Sequence, residues 1–157
     1  MGEPAPHETY QRHCRAIDSP IHRKLDTGTL NFMTVPLVIV DGANVVGSVP
    51  DGWWRDRAGA AVRLRDRLAP LRATGLPELA GPVEILLVVE GRAREIPQAA
   101  DGVRIERAAR SGDDKIVELV RVEGADRRTV VITADRGLRE RVTALGAEVR
   151  GPSSVPR

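Results

Sequence analysis

The sequence predicts an α/β fold, with a mainly parallel central sheet between two layers of helices (a three-layer α/β/α arrangement). The main observation is an alternation along the chain. Apolar runs of strand length are separated by segments whose apolar residues recur at helical spacing, which indicates βαβ units. The length of 157 residues is enough for one domain with a sizeable core, and there is no internal repeat.

Residues 1–33 are predicted to be a disordered N-terminal extension, since they mix Pro, His and charged residues without sustained periodicity. A short helix over residues 8–16 is an open alternative there. Met33 stands directly before the first apolar strand, so this segment is alternatively upstream sequence ahead of a natural start. The folded domain is expected over residues 34–152, with a flexible tail over residues 153–157.

The first strand occupies residues 36–40, which are wholly apolar, and Asp41 and Gly42 follow at once. An acid and a glycine after such a run indicate either a simple turn or a carboxylate placed at the end of a sheet. A helix is expected next, with Asp51 as its N-cap and the Pro- and Gly-containing segment 70–82 as its end. Its apolar residues recur at three- and four-residue spacing, namely Trp54, Ala58, Ala61, Leu64, Leu68 and Leu71.

The second half of the chain repeats the alternation, and two more of its apolar strands are followed by acids, Glu90 and Asp135. A loop separates the first two strands of this half. In chain order we predict strands at 83–91 and 102–108, a helix at 111–125, a strand at 129–133, a helix at 136–146 and a short strand at 147–151.

Composition excludes several kinds of active site. All three histidines, the only cysteine and the only tyrosine lie in the first 22 residues, and residues 34–157 contain a single lysine, Lys115. A folded domain over those residues therefore lacks a Ser-His or Cys-His nucleophile pair and a histidine or thiolate zinc site. Carboxylates, hydroxyls, arginines and backbone remain, which indicates hard-metal chemistry or binding.

Charge and hydropathy bear on partners and location. The pI near 9.2 suggests an anionic partner such as nucleic acid, although the net charge is only +2 and solvated helix faces explain it equally well. No apolar run approaches the roughly 18 residues of a membrane span, and no signal peptide is evident. Cys14 has no second cysteine with which to form an intrachain disulfide. We therefore expect a cytoplasmic protein with no membrane partner.

Acids recur where parallel strands end. Asp41, Glu90 and Asp135 each follow an apolar strand, and a predicted helix opens with Asp113 and Asp114. The carboxyl ends of parallel strands lie along one edge of a sheet, so these acids are expected to converge. Clustered carboxylates repel one another unless a cation lies among them, and oxygen ligands suit Mg²⁺ or Mn²⁺. A cation held this way lowers the pKa of bound water and binds a scissile phosphate.

Each acid also has a structural interpretation. Asp41 can be a turn residue, Asp135 can be an N-cap, and Glu90 can simply face solvent. Asp114 stands three residues after Ser111, as in a capping box.

Asp113 is the better metal ligand of the adjacent acid pair. It precedes Ile116 and Val117 by three and four residues, and both of these look core-facing.

Five polar or aromatic residues near the strand ends are candidates for supporting or binding roles. Asn44 is expected to orient Asp41 or to bind the loop backbone. Thr133 and Ser48 are candidates to donate to a phosphate or a metal-bound water. One of Trp53 and Trp54 is expected to pack on the sheet, and the other is a candidate to stack on a base, a role that we assign to Trp53.

Three arginines in the predicted last helix are candidate phosphate ligands, and a solvated helix face is an equally good interpretation. They are Arg136, Arg139 and Arg141.

The order of four motifs resembles the NYN domain, in the YacP-like branch of the PIN-like nuclease superfamily. The motifs are VIVDGANVVGS, LLVVEG, ARSGDDKIVELV and VVITADRGLRERV, and the resemblance covers about residues 35–152. It implies a parallel sheet with helices on both faces and an acidic pocket for Mg²⁺ or Mn²⁺. Members are known or proposed ribonucleases, and many act on mRNA, tRNA or rRNA.

By motif match, the resemblance assigns Asp41, Asp113 and Asp135 to the core acidic positions and Asn44 to the accompanying polar one. Asp114 takes an auxiliary acidic role. The second strand often ends in Asp in the family, whereas here it ends in Glu90.

The leading hypothesis is therefore a metal-dependent endoribonuclease whose partner is RNA, either single-stranded or structured, with mRNA and the ribosome as candidate partners. The alternative is a non-catalytic RNA-binding module. A nucleotide pyrophosphohydrolase is a third hypothesis, although the helical E-x-x-E arrangement typical of such enzymes is missing.

Overall fold

The computed structural model describes residues 35–98 and 102–157. The predictions of a disordered extension over residues 1–33 and of a helix over residues 8–16 lie outside the described residues. Within the described ranges, no helix is long and apolar enough to cross a membrane.

Residues 35–98 and 102–157 contain seven strands and five α-helices in chain order, with short 3₁₀ turns at Trp53–Arg55, Gly91–Glu95 and Pro152–Ser154. The first half contains β1 (Leu37–Asp41), α1 (Gly42–Gly47), α2 (Arg57–Leu68), α3 (Leu71–Thr74), β2 (Gly75–Leu76), β3 (Leu79–Ala80) and β4 (Glu84–Val89). The second half contains β5 (Arg104–Arg107), α4 (Gly112–Glu123), β6 (Thr129–Ile132), α5 (Arg136–Ala144) and β7 (Glu148–Arg150).

Five of the strands form one sheet in the order β5-β4-β1-β6-β7, and every neighbouring pair in it is parallel. Strands β2 and β3 form a separate antiparallel hairpin. The predicted α/β class with a mainly parallel central sheet is confirmed.

Both faces of the sheet are covered by helices, as alternate side chains of β1 illustrate. Val38 and Val40 belong to the same apolar cluster as Leu64 of α2. Leu37 and Ile39 lie in the cluster on the other face, with α4 and α5. Leu64 is fully buried, and burial of such a side chain stabilises the fold by about 1.5–3 kcal/mol.

The strand order reverses at β1, which pairs with β4 on one side and with β6 on the other. The chain leaves β1 toward α2 on one face and returns to β6 from α4 on the opposite face. A crevice at the carboxyl end of β1 is the usual ligand position in such a sheet. Asp41, the last residue of β1, lies at that position.

The segment after β1 differs from the prediction at two places. A short helix, α1, follows Asp41 directly, and the predicted helix from Asp51 begins only at Arg57. Asp56 is its N-cap, because its Oδ1 accepts from the Gly59 backbone N–H at 2.9 Å. Asp51 instead accepts from the Trp53 N–H at the start of the 3₁₀ turn.

Packing extends into the last residues, because Pro152–Ser154 form a 3₁₀ turn and Val155 is buried in the core. The flexibility predicted for residues 153–157 stays a prediction.

Gly42 is required by a close approach to the neighbouring strand. A Cβ at this position would lie 2.5 Å from the Val88 carbonyl oxygen. We expect Gly42→Ala to lower the free energy of unfolding by about 1–3 kcal/mol, as overpacked sites do, measured from urea unfolding midpoints. Gly47→Ala in the same helix is the control, because its Cβ would have only an ordinary contact with Trp53 at 3.8 Å. Equal stabilities of the two variants would contradict the proposed crowding.

Candidate functional site

Asp41 ends β1 and also begins the next helix. Its carboxylate is 6% exposed, and each of its oxygens accepts a hydrogen bond. Oδ1 accepts from the Asn44 backbone N–H at 3.3 Å, and Oδ2 accepts from the Thr133 hydroxyl at 2.8 Å. The sequence offered two interpretations of Asp41, a turn residue or a carboxylate at the end of the sheet, and the structure combines both.

Side chains join the ends of β1 and β6 at the point where the strand order reverses. Besides donating to Asp41, the Thr133 hydroxyl accepts from the Asp135 N–H at 3.1 Å. The Asn44 side-chain oxygen accepts from the Ala134 N–H at 2.8 Å. Asn44 thus contacts both expected partners, the loop backbone through its side chain and Asp41 through its backbone N–H. Thr133 contacts Asp41 through its hydroxyl.

Asp135 is the N-cap of α5, as the structural interpretation of the sequence suggested. Its Oδ1 accepts from the Leu138 backbone N–H at 2.8 Å, and the residue is exposed.

The two acids that open α4 differ in surroundings. Asp113 is half-buried and faces the cleft described below, whereas Asp114 is exposed. The Asp114 N–H donates to the Ser111 hydroxyl at 3.3 Å, and its carboxylate accepts from Arg141 at 2.9 Å. Asp113 is therefore the member of the pair that is free to act on a ligand in the cleft, and Asp114 belongs to the surface.

Glu90 follows β4, and its Oε2 accepts from the backbone N–H of Gly112, the first residue of α4, at 2.5 Å. A carboxylate at a helix N-terminus is stabilised by the helix dipole. Glu90 is half-buried and joins β4 to α4 through this bond. Together with Asp41, Asp113 and Asp135 it forms the group of interacting carboxylates that we call the acidic region.

Electrostatic repulsion links these carboxyl groups. Burial raises the pKa of Asp41 above its usual range, and the charges of Asp113 and Glu90 raise it further, against the lowering effect of the bonds from Thr133 and Asn44.

Asp113 shows the same effect from its own surroundings. Burial raises its pKa most, the charges of Asp135, Glu90 and Asp114 add to this, and Arg141 lowers it. Asp41 and Asp113 are therefore both harder to ionise than an isolated carboxyl group in water.

A cleft of about 550 Å³ lies beside the acidic region, between the start of α1, the start of α2 and the start of α4. Trp53, Arg57 and Arg110 contribute its large side chains, and Glu90 and Asp113 contribute its carboxylates. Neither arginine was identified from the sequence. The four-residue spacing of Trp53 and Arg57 is a signal that could have found the first.

Of the predicted site residues, Trp53, Glu90 and Asp113 line this cleft, and the others lie outside its lining. The Ser48 hydroxyl donates to the Val45 carbonyl at 2.7 Å at the end of α1, so it is occupied as a helix C-cap. Arg136 and Arg139 line a separate, shallow depression on α5. Their predicted contacts with RNA stay predictions.

The donor atoms in the acidic region are all oxygens, the type that Mg²⁺ and Mn²⁺ prefer. Across residues 35–98 and 102–157, no three acidic, histidine or cysteine side chains are arranged to hold a metal ion as a set. Mg²⁺ usually binds one or two carboxylates and takes water or phosphate oxygens for the remaining positions. Asp41 and Asp113 both carry oxygen donors of this type, and the charge of Asp113 acts on Asp41.

Thr133→Val tests the position of Asp41, because valine keeps the shape of this fully buried side chain and removes its hydroxyl. Asp41 Oδ2 and the Asp135 N–H would both lose a partner. We expect the free energy of unfolding to fall by about 1–3 kcal/mol, measured by urea denaturation. Thr133→Ser, which keeps the hydroxyl, should retain more of the stability, and an equal loss in both variants would contradict the role of the hydrogen bonds.

No protein-family model matches the sequence, and neither does any curated protein. Among solved structures, the chain is similar to the crystal structure of a point mutant of Rae1 (YacP) from Bacillus subtilis. The TM-score is 0.55 at 15% sequence identity, over 75% of this chain and 70% of that one. At this identity the likeness establishes the fold alone, and it is the fold that the YacP-like motif order implies.

Proposed function

We propose that this chain is a metal-dependent ribonuclease in which Asp41 and Asp113 hold Mg²⁺ or Mn²⁺ at the carboxyl edge of the sheet. One observation carries the proposal. A buried carboxylate at the switch point, Asp41, has its pKa raised by burial and by the charge of Asp113 beside it. Such an arrangement is costly for the protein alone and favourable for a cation.

The order of the motifs supports RNA as the substrate, because the NYN family that they resemble consists of known or proposed ribonucleases. The similarity to the Rae1 (YacP) structure is at the level of the fold and agrees with that branch of the family. The cleft beside the acids contains Arg57 and Arg110, which are suited to bind phosphates.

The protein groups in this proposal have separate tasks. A divalent cation bound to Asp41 and Asp113 would neutralise charge on the scissile phosphate and lower the pKa of a coordinated water. Thr133 and Asn44 orient the Asp41 carboxylate for binding. Asp135, whose charge acts on Asp113, adds to the negative potential that attracts the cation.

The proposal is tested by incubating the full chain with a circular single-stranded RNA in Mg²⁺, in Mn²⁺ and in EDTA. We expect cleavage with either cation and none with EDTA, since the carboxylates alone provide no Lewis acid. A circular substrate responds only to internal cuts, so linear products also establish the endonucleolytic mode. Nucleoside triphosphates in parallel reactions should remain intact, and their hydrolysis without RNA cleavage would favour a pyrophosphohydrolase.

One observation favours a second candidate, a non-catalytic RNA-binding module. It is the lack, across the described ranges, of three side chains arranged as a metal-binding set. This candidate predicts salt-dependent RNA binding without turnover, unaffected by Asp113→Asn and Asp135→Asn. The ribonuclease predicts loss of turnover in Asp113→Asn.

A further inference from the structure

We propose that the cleft beside the acidic region binds one unpaired nucleobase of the RNA, stacked on Trp53 and Arg57. We call this space the base cleft; its large side chains are Trp53, Arg57 and Arg110. The inference rests on the proposed function for its substrate, and it adds the requirement that the RNA be single-stranded next to the cut.

The size and the lining of the base cleft leave room for a nucleobase. Its volume of about 550 Å³ lies within the range of roughly 300–1,000 Å³ typical of pockets for small molecules. Much of its wall comes from residues with little or no side chain, so that space remains next to the large ones. These residues are Gly42, Ala43, Ala61, Gly91 and Ala93.

Trp53 is held in place before any ligand binds. The Arg57 guanidinium lies over its ring, 5.5 Å from the ring centroid, in a cation–π contact. Trp54 packs against it edge to face, at 6.1 Å between centroids and an interplanar angle of 84°. Aromatic rings and guanidinium planes are both surfaces on which RNA-binding proteins stack unpaired bases.

The base cleft is continuous with the acidic region, because Glu90 and Asp113 also line it. A nucleotide whose base occupies the cleft would therefore have its phosphate close to Asp113. Arg57 and Arg110 are exposed residues in the lining of the same cleft, where they can bind the flanking phosphates. The lining of the cleft therefore combines cations with carboxylates, and a phosphodiester together with a metal ion requires both.

Stacking in the base cleft excludes base pairing at the same nucleotide, since a paired base is stacked within its own helix. The substrate class that follows is single-stranded RNA, or an unpaired loop in a folded RNA. A blunt duplex of the same sequence would present only its phosphates.

Tryptophan fluorescence tests the inference without any cleavage, because the chain contains two tryptophans. Trp54→Phe leaves Trp53 as the only indole, and Trp53→Phe leaves Trp54. Each variant is titrated in EDTA with a short single-stranded oligoribonucleotide, with its blunt duplex and with adenosine monophosphate. We expect the single strand to quench Trp53 strongly, the duplex to leave it unchanged, and Trp54 to respond to none of them.

Affinity provides a second readout. Binding of the same labelled single strand should weaken roughly 5- to 150-fold in Trp53→Leu, the loss expected for one stacked base. Arg57→Gln should also weaken binding. Arg63→Gln removes the same charge from the same helix at a residue outside the cleft, so it should have a smaller effect.

Two outcomes overturn the inference: equal quenching by duplex and single strand, or equal affinities of Trp53→Leu and the unmodified chain. Quenching by adenosine monophosphate alone would overturn the assignment to RNA and identify a free nucleotide as the ligand. These results are separable from the proposed function. Stacking without cleavage would contradict the ribonuclease only, and cleavage without stacking would contradict the base cleft only.

Discussion

Asp41→Asn should reduce RNA cleavage by at least about a hundredfold while leaving the folded protein as stable as before, or more stable, at neutral pH. In metal sites, loss of a group that merely supports a ligand reduces affinity or activity by about 10- to 100-fold, so loss of a ligand should reduce it at least as much. Initial rates at saturating Mn²⁺ measure this effect. An unchanged rate would contradict a metal site at Asp41.

Stability is expected to change in the opposite direction because of the raised pKa of Asp41. A carboxyl whose pKa is higher in the folded chain stabilises the fold below its unfolded pKa of about 3.9, and this stabilisation is lost as the pH rises through the folded pKa. At neutral pH the ionised Asp41 carboxylate therefore lowers the free energy of unfolding. Asparagine removes that charge, and it is as good an N-cap as aspartate, so it can keep the bond from the Asn44 N–H. Its NH₂ group cannot accept from the Thr133 hydroxyl, and the loss of that bond offsets part of the gain.

The pH dependence tests this explanation directly. Urea unfolding from pH ~4 to ~8 should show stability that falls less with rising pH in Asp41→Asn than in the unmodified chain. Asp126→Asn is the matched control, because it also removes one carboxylate but from an exposed position. Equal pH dependence of the two variants would contradict the desolvation of the Asp41 carboxyl that the structure indicates.

The sequence was sufficient to predict the sheet, because each long strand is an uninterrupted apolar run that has to be covered on both faces. It was less informative about helix starts. Asp51 and Asp56 are both chemically able to begin the second helix, and the choice depends on which one the packing of α2 against the sheet brings into position. Local sequence patterns do not contain that information.

The same limit applies to the candidate site. The positions of Asp41 and Asp135 could be predicted because both residues follow apolar strands, and the carboxyl ends of parallel strands lie along one edge of the sheet. The bond from Gly112 to Glu90 joins residues 22 positions apart, and it depends on how the end of β4 meets the start of α4. Arg57 was missed because its role arises from a contact with Trp53 in a cleft that exists only in the folded chain.

Asp113→Asn should lower RNA cleavage about a hundredfold, whereas Asp114→Asn should change it by less than about threefold. The two substitutions remove the same charge from adjacent positions in one helix turn. Asp113 lies in the cleft and raises the pKa of Asp41, so it is a candidate ligand. The Asp114 carboxylate is 69% exposed and contacts Arg141, and exposed ion pairs contribute about 0–1 kcal/mol.

Thermal unfolding in Mn²⁺ separates a metal ligand from a residue that only affects the helix. A cation that binds the folded chain alone raises its stability by about 2.7 kcal/mol at a concentration one hundred times its dissociation constant. We expect that increase in the unmodified chain and in Asp114→Asn, and its loss in Asp113→Asn. Similar losses in both variants would mean that negative charge near the start of α4 matters without regard to position, because charge is the one property that the two substitutions share.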